Sequence, residues 1–132
     1  MKELKFRAFH KPSKKMFDVS MIDFVEKRIY HYSPTDYCKV YGFENCELMQ
    51  FTGLKDVDGK EIFEGDILSY DFSEDHKNKD YSKPIYVVQL FKDVFPCATG
   101  IHDNFYAHWH RLPFTKVLGN IHQNSELLEI NK

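Results

Sequence analysis

The chain has 132 residues, a length typical of one domain and too short for two ordinary ones. Eighteen basic and twenty acidic residues give a net charge of −2, which argues against a dedicated duplex-binding protein, because such proteins carry a large positive excess. No apolar run approaches the roughly 18 residues of a membrane helix, and the first residues carry charges where a signal peptide is apolar. We therefore expect a folded cytoplasmic protein with no membrane partner.

Three cysteines, Cys38, Cys46 and Cys97, occur at irregular spacing with no CxxC pair. An odd number at such spacing is typical neither of a secreted disulfide framework nor of a zinc ribbon. We predict buried free thiols that behave as small hydrophobic side chains. No cofactor is predicted.

The first predicted element is a β-hairpin over residues 4–19. Apolar Leu4, Phe6 and Ala8 alternate with charged side chains, which is the period of a half-buried strand. A polar turn containing a proline follows, and a second apolar run at 16–19 supplies the partner strand.

Residues 22–32 alternate less regularly, although Phe24 and Val25 are good strand formers. Further strands are predicted in the centre of the chain, at residues 48–54, 61–63 and 66–72. Tight turns rich in glycine and aspartate join them.

The C-terminal half combines a charged loop with short strands. Residues 73–83 are almost entirely charged or polar, which predicts an exposed, mobile loop. Residues 85–91 are apolar on both faces and predict a central strand. Residues 95–100 predict a break, and two short strands follow at 105–110 and 115–121.

Near the end, Asn124 is predicted to cap one short helical turn containing Glu126. About seven to nine short strands with little helix predict a mainly β fold, built as an antiparallel sheet or a small barrel.

Several blocks of the chain are similar to one known family. In chain order they read KFRAF at 5–9, LMQFTGLKD at 48–56, DGKEIF at 58–63, EGDI at 64–67, VLGNI at 117–121 and NSELL at 124–128. As an ordered set they resemble the YopX family, small proteins of phages and prophages. The variable segments lie at about 20–45 and 70–112.

The resemblance implies a mainly β fold with an N-terminal β-hairpin and an SH3-like small barrel in the C-terminal part. It covers most of the chain and implies one YopX-like domain over 1–132, with the hairpin and a variable segment at 1–47 and the barrel-like part at 48–132. It implies a phage or prophage origin, and it offers no catalytic residues to carry over.

Residues in these blocks predict turn structure rather than chemistry. Glycine permits positive φ angles, and aspartate accepts hydrogen bonds from turn N–H groups. The predicted turn residues are Gly53, Asp56, Asp58, Gly59, Gly65 and Asp66.

Histidines in the last third are the weak candidates for a metal site. In a strand, His108 and His110 would point to the same face about 6.6 Å apart, and His102 or Asp103 could supply a third ligand. The alternative is a solvated strand face with Trp109 packed on the other side. No acidic cluster supports the metal, so we expect none.

Two other arrangements could suggest an enzyme. Cys97 or Cys38 could act as a nucleophile beside a histidine, but no nucleophile signature surrounds either cysteine. The acids Glu61, Glu64 and Asp66 resemble the paired carboxylates of a hydrolase, yet turn hydrogen bonding explains their position around a tight bend more simply. We expect no enzyme.

Basic residues near the start of the chain are the candidates for nucleic-acid binding. They are Lys2, Lys5, Arg7, Lys11, Lys14 and Lys15. Such a patch could contact phosphates, and exposed aromatic side chains on a barrel could stack on bases. Lysines in a hairpin turn, however, also serve to keep a sheet edge unpaired.

Aromatic content favours a protein-interaction role. Twelve Phe, eight Tyr and one Trp are more than a small core must hold, and open strand edges favour self-association. We therefore expect a non-enzymatic phage or prophage accessory protein that acts in the bacterial cytoplasm. Its expected partner is a phage or host protein or a second copy of itself, and nucleic-acid binding is the alternative.

Overall fold

The computed structural model describes residues 3–35, 37–75, 77–91, 95–101 and 106–129. The described chain is mostly antiparallel β-strand with three short 3₁₀ helices, which confirms the predicted mainly β class. It divides into two compact units, which we call unit 1 (residues 3–50) and unit 2 (residues 51–129).

Unit 1 is built from two small antiparallel sheets. Its strands are β1 (Phe6–His10), β2 (Lys15–Asp18), β3 (Met21–Asp23), β4 (Arg28–His31), β5 (Lys39–Gly42) and the first half of β6 (Cys46–Lys55). Strand β1 pairs with β2 on one side and with β6 on the other, and β3, β4 and β5 form the second sheet in chain order. The β1–β2 pairing confirms the predicted N-terminal hairpin.

The core of unit 1 contains a set of aromatic rings. Ala8 and Ile29 are fully buried, and half-buried Phe17 and Tyr41 pack against them. The Phe17 and Tyr41 rings stack with centroids 4.5 Å apart. Burying rings of this size supplies most of the stabilisation available to so small a core.

Strand β6 belongs to both units. Cys46–Gln50 pairs with β1, and beyond Phe51 the strand pairs with β7 (Glu61–Phe63). The register of the β6–β7 pairing shifts between Phe51 and Lys55. This shift marks a bulge, and Gly53 within it has a φ of +87°. A bulge increases local twist and redirects the strand toward its hairpin turn.

Unit 2 contains a five-stranded antiparallel sheet in the order β11-β10-β9-β8-β12. The strands are β8 (Asp66–Ser69), β9 (Tyr86–Phe91), β10 (Phe95–Gly100), β11 (Tyr106–His108) and β12 (Lys116–Asn120). The predicted central strand is confirmed, because β9 has β8 on one side and β10 on the other.

The predicted break at residues 95–100 is wrong, because this segment is strand β10. Pro96 stands near its start, opposite Leu90, and Cys97 and Ala98 are buried in the sheet. A proline is tolerated near the start of a strand, where its missing N–H costs least. Pairing on both sides then holds a segment with few strong strand formers in the sheet.

The core of unit 2 forms on one face of this sheet. Ile62, Leu68, Val88 and Leu112 are almost fully buried and belong to one apolar cluster. Leu112 comes from a 3₁₀ helix at Trp109–Phe114, which follows β11 and closes over the cluster.

The other 3₁₀ helices are Phe43–Asn45 and Ser125–Glu129, and the second confirms the helical turn predicted after Asn124. Among the described residues, no helix has the length and hydropathy to span a membrane. Within the described strands, no pairing joins β11 to β12, so the SH3-like closure stays a prediction. The single-domain organisation also stays a prediction.

Candidate functional site

The central block places Asp56 at the turn between β6 and β7. Its side chain is buried, and Oδ1 accepts hydrogen bonds from the N–H groups of Asp58 and Lys60, both at 2.9 Å. Its Oδ2 accepts a third bond, also 2.9 Å, from the N–H of Val117 in β12. One carboxylate therefore closes the turn and fixes it to a strand 61 residues further along the chain.

The second sharp bend, at Gly65-Asp66, has the same structural character. Gly65 has a φ of +86°, its N–H donates to the carbonyl of Val88, and its own carbonyl accepts from Ile121. Asp66 is buried, and its Oδ2 accepts the N–H of Phe63 at 2.8 Å. This bend therefore joins the central block to β9 and to the closing block of the chain.

The closing block contains a close approach between Gly119 and Asn124. Asn124 Oδ1 accepts the N–H of Asn120 at 3.1 Å, and Asn120 Oδ1 accepts the N–H groups of His122 and Gln123. A Cβ atom on Gly119 would lie 2.4 Å from Asn124 Oδ1. Glycine is therefore required here by packing, a role that the sequence analysis does not identify.

These contacts confirm turn roles for most of the predicted turn residues. Gly53, Gly59 and Gly65 all have positive φ angles. The Asp56 and Asp66 carboxylates accept hydrogen bonds from turn N–H groups. Asp58 differs, because its exposed carboxylate lies 3.8 Å from Lys116 Nζ. The family-like blocks are therefore held together by hydrogen bonds. In these bonds the aspartate carboxylates accept backbone N–H groups, which is a structural role.

The histidine hypothesis rested on an extended strand through residue 110, and that assumption is wrong. Strand β11 ends at His108, and the chain turns into a 3₁₀ helix at Trp109, so His108 and His110 do not share a strand face. His102 and Asp103 lie outside the described residues. No cluster of three metal-ligating side chains occurs in the described part of the chain.

The described basic residues of the predicted set are distributed along the β1–β2 hairpin. Lys11, Lys14 and Lys15 lie exposed around the β1–β2 turn, where Lys11 Nζ is 3.7 Å from Glu47 Oε1. Lys5 lies just before the other end of β1. Along an extended chain this places it about 20 Å from Lys11. Arg7 lies opposite Asp18 in the hairpin register, and Lys2 is outside the described residues.

The cysteines are free, and two of them are buried as predicted. Burial raises the pKa of the Cys46 thiol, which favours the neutral form in the core of unit 1. The prediction is wrong for Cys38, which is exposed beside Tyr32. The chain leaves the second sheet between β4 and β5 at this point and provides no cover for it.

The charged loop is exposed as predicted, but it has internal order that the sequence analysis does not identify. Asp71 accepts hydrogen bonds from the N–H groups of Ser73 and Asp80, and the Lys79 ammonium donates to the carbonyls of Asp71 and Ser73. Asp75 accepts the N–H of Lys77 in the same way. The loop therefore folds around the ammonium group of Lys79.

Asp71 is expected to titrate well below an ordinary aspartate. The hydrogen bond from the Asp80 N–H, followed by those from Ser73, lowers its pKa to about 2. Because this lies below the unfolded value of about 3.9, the carboxylate supports the loop at neutral pH. That support is lost as the pH falls through the folded pKa.

Carboxyl ¹³C NMR should give a midpoint near the lowered value, and the Asp80 amide shift should follow it. A midpoint at the ordinary aspartate pKa would contradict this, and Asp71→Asn, which cannot titrate, is the control.

Each unit carries a shallow groove among its described residues. The unit 2 groove, about 410 Å³, is lined mainly by apolar side chains, including Val87, Ile121 and Leu128. The unit 1 groove, about 340 Å³, lies between the start of β1 and β3 and has Lys5 as its one titratable side chain. Neither groove brings together the acid, base or nucleophile that catalysis requires.

Exposed apolar side chains are concentrated in unit 1. Of the large apolar residues exposed in the described chain, Val57, Phe72, Trp109 and Phe114 lie in unit 2. The larger group in unit 1 consists of Leu4, Met21, Phe24, Val25, Tyr32, Tyr37 and Val40. Where such side chains form a contiguous patch of several hundred Å², the patch is often a binding surface.

One strongly exposed part of this surface is the β3–β4 hairpin tip, residues 24–27. Phe24 is 74% exposed and Val25 is 88% exposed. By propensity, both are ordinary strand formers. The signal that could have placed them in a turn is the preceding Asp23, whose Oδ1 accepts the N–H groups of Val25 and Glu26.

The outer face of the second sheet extends this surface. Met21, Tyr30 and Val40 are register partners across β3, β4 and β5, so their side chains share one face. Tyr30 and Tyr32 stack on that face with centroids 6.4 Å apart. The opposite face carries Ile29 into the core.

Comparison with known proteins agrees with the arrangement of the sequence blocks. No curated protein matches the chain. Among solved structures, protein EF1440 from Enterococcus faecalis is similar, with 28% sequence identity and a TM-score of 0.63, over 97% of this chain and 99% of that one. The model of the YopX protein family matches residues 5–129. The match spans almost the whole sequence, and the chain therefore belongs to the YopX family.

Proposed function

We propose that this protein is a non-enzymatic protein-interaction module of phage or prophage origin that acts in the bacterial cytoplasm and self-associates. The observation that carries the proposal is the apolar surface of unit 1, formed by the hairpin tip and the outer face of β3–β4–β5. A fixed apolar surface of this kind is what protein interfaces use for affinity.

The distribution of order within the chain supports the same function. Buried carboxylates and positive-φ glycines are used to hold the family-like blocks together. Most of the exposed apolar surface, in contrast, lies within residues 20–45, which the family resemblance marks as variable. A constant scaffold with a variable apolar surface suits a family whose members bind different proteins.

The test is capture of partners by the tagged full chain from a lysate of the bacterium that carries the gene, with and without nuclease. We expect a protein that survives nuclease, is retained by Val57→Glu in unit 2, and is lost with Val25→Glu in unit 1. Both valines are exposed, so neither substitution should unfold the chain. The proposal would be wrong if every captured protein disappears with nuclease and the purified chain is monomeric, since the first result favours nucleic-acid binding.

A further inference from the structure

We propose that the unit 1 groove and the hairpin tip together form a two-fold self-association interface. The tip of one copy enters the groove of a second copy and its own groove receives the partner's tip. This inference rests on the proposed function, which it deepens by naming the surface and its occupant. Four observations carry it: a fixed tip, an adjoining groove, complementary charges and sufficient area.

The tip is held in a defined conformation before any contact is made. Asp23 Oδ1 accepts the N–H groups of Val25 at 2.9 Å and of Glu26 at 3.0 Å, which closes the turn. The edge of the Phe24 ring is supported by Phe43, with centroids 6.1 Å apart. Ordering these exposed apolar groups on binding therefore costs little conformational entropy.

The groove begins where the tip ends. Its apolar lining includes Leu4, Phe6, Met21 and Ile22, and Phe24 of the tip forms one wall. A protruding group and a receiving groove thus share one border. A two-fold axis through that border places each tip over the other groove, which is the geometry of an isologous dimer.

The charges at the border are complementary under the same symmetry. Lys5 lines the groove, and Glu26 follows the exposed pair at the tip. A two-fold axis brings Lys5 of each copy toward Glu26 of the other, which gives two opposite-charge contacts. Glu3, which precedes the groove residues in the chain, and Lys27, the last residue of the tip, have the reverse charges and match across the same axis. Complementarity of this kind favours one register over others.

Together with its polar rim, the apolar patch approaches the area of a standard dimer interface. Leu4, Met21, Phe24 and Val25 are 73%, 44%, 74% and 88% exposed. These fractions amount to on the order of 500 Å² per copy, against about 800 Å² per partner in a standard interface. The polar rim of residues 3–5 and 26–27 adds to this area.

The first test measures the mass of the full chain against concentration by sedimentation equilibrium. We expect a monomer–dimer equilibrium whose dissociation constant rises at least tenfold in Val25→Glu, because the substitution occurs twice in the interface. The matched control, Val57→Glu, should dimerise like the unaltered chain. Thermal unfolding of each variant checks that the fold is intact.

The second test uses charge exchange. Lys5→Glu alone and Glu26→Lys alone should each weaken the homodimer, because each creates two like-charge contacts. An equimolar mixture of these two variants should form a heterodimer with affinity near that of the unaltered chain, since both contacts become Glu–Lys pairs. Recovery in the mixture identifies the two-fold geometry itself.

Three results would overturn the inference. They are a monomer at all accessible concentrations, dimerisation of Val25→Glu equal to that of Val57→Glu, or no recovery in the charge-exchange mixture. A monomer would also remove self-association from the proposed function, but the protein-interaction role stands if a nuclease-resistant protein partner is still captured.

Discussion

Replacing Asp56 with alanine is expected to lower the free energy of unfolding by roughly 3–5 kcal/mol. The substitution removes the acceptor of three backbone N–H groups, those of Asp58, Lys60 and Val117. At least one of these donors lies in a buried region, and a buried N–H without a partner costs far more than the bond itself contributes. Urea unfolding followed by circular dichroism measures the change.

Asp58→Ala is the matched control, since it alters the same residue type in the same turn. The Asp58 carboxylate is mostly exposed and makes one ion pair, so its loss should change stability by less than about 1 kcal/mol. Asp56→Asn should fall between the two, because the amide keeps one acceptor oxygen but turns a donor toward other donors. Equal effects of Asp56→Ala and Asp58→Ala would contradict the assigned role of Asp56.

Replacing Gly119 with alanine is expected to destabilise the protein by about 1–3 kcal/mol. The added Cβ would approach Asn124 Oδ1 to 2.4 Å and Asn124 Cβ to 2.9 Å. Asn124 cannot move aside freely, because its side chain accepts the Asn120 N–H and its own N–H donates to the Asn120 carbonyl. The added methyl group therefore has to disturb the turn at the end of β12.

A double-mutant cycle with Asn124→Ala measures whether this contact is the cause. Asn124→Ala removes Oδ1 and Cγ, the two atoms nearest the new methyl group, and leaves only its own Cβ at 2.9 Å, so Gly119→Ala should cost less in that background. The control is Gly59→Ala, where no atom lies within 4 Å of the added Cβ and only the φ of +81° opposes the change. Additive effects at Gly119 and Asn124 would contradict the contact as the cause of the loss.

The elements that the sequence predicts best are those defined by local patterns. The hairpin at 4–19 is indicated by apolar residues that alternate with charged ones, and β9 by a short continuous apolar run. The turn residues Asp56 and Asp66 were found for a related reason, since aspartate beside glycine binds the backbone of its own turn.

The errors arise where distant parts of the chain decide the local structure. Strand β10 has few strong strand formers and is held by pairing with β9 and β11. The 3₁₀ helix at Trp109–Phe114 places Leu112 in the core, and no local pattern indicates that a strand should end at His108 to allow it. The shared strand face predicted for His108 and His110 depended on a longer strand.

The sequence predicts that the candidate site is a protein interface, but it does not predict which residues form that interface. The aromatic excess favours an interface, yet composition does not indicate which rings remain outside the core. Phe24 and Val25 are strand formers by propensity and become an exposed tip because Asp23 closes a turn beneath them. The tip is therefore visible only once the partners of its turn are known.

Sharing β6 between the units has a practical consequence for anyone who wants to study them separately. Cutting the chain at residue 50 would give two fragments, each ending in a piece of strand without the rest of its length. A fragment of either unit should therefore retain residues 46–55 in full, so that the same ten residues appear in both. The same requirement applies to a chimera of two family members. If the two sequences are joined within β6, the bulge must stay in register with both of the strands that pair with β6.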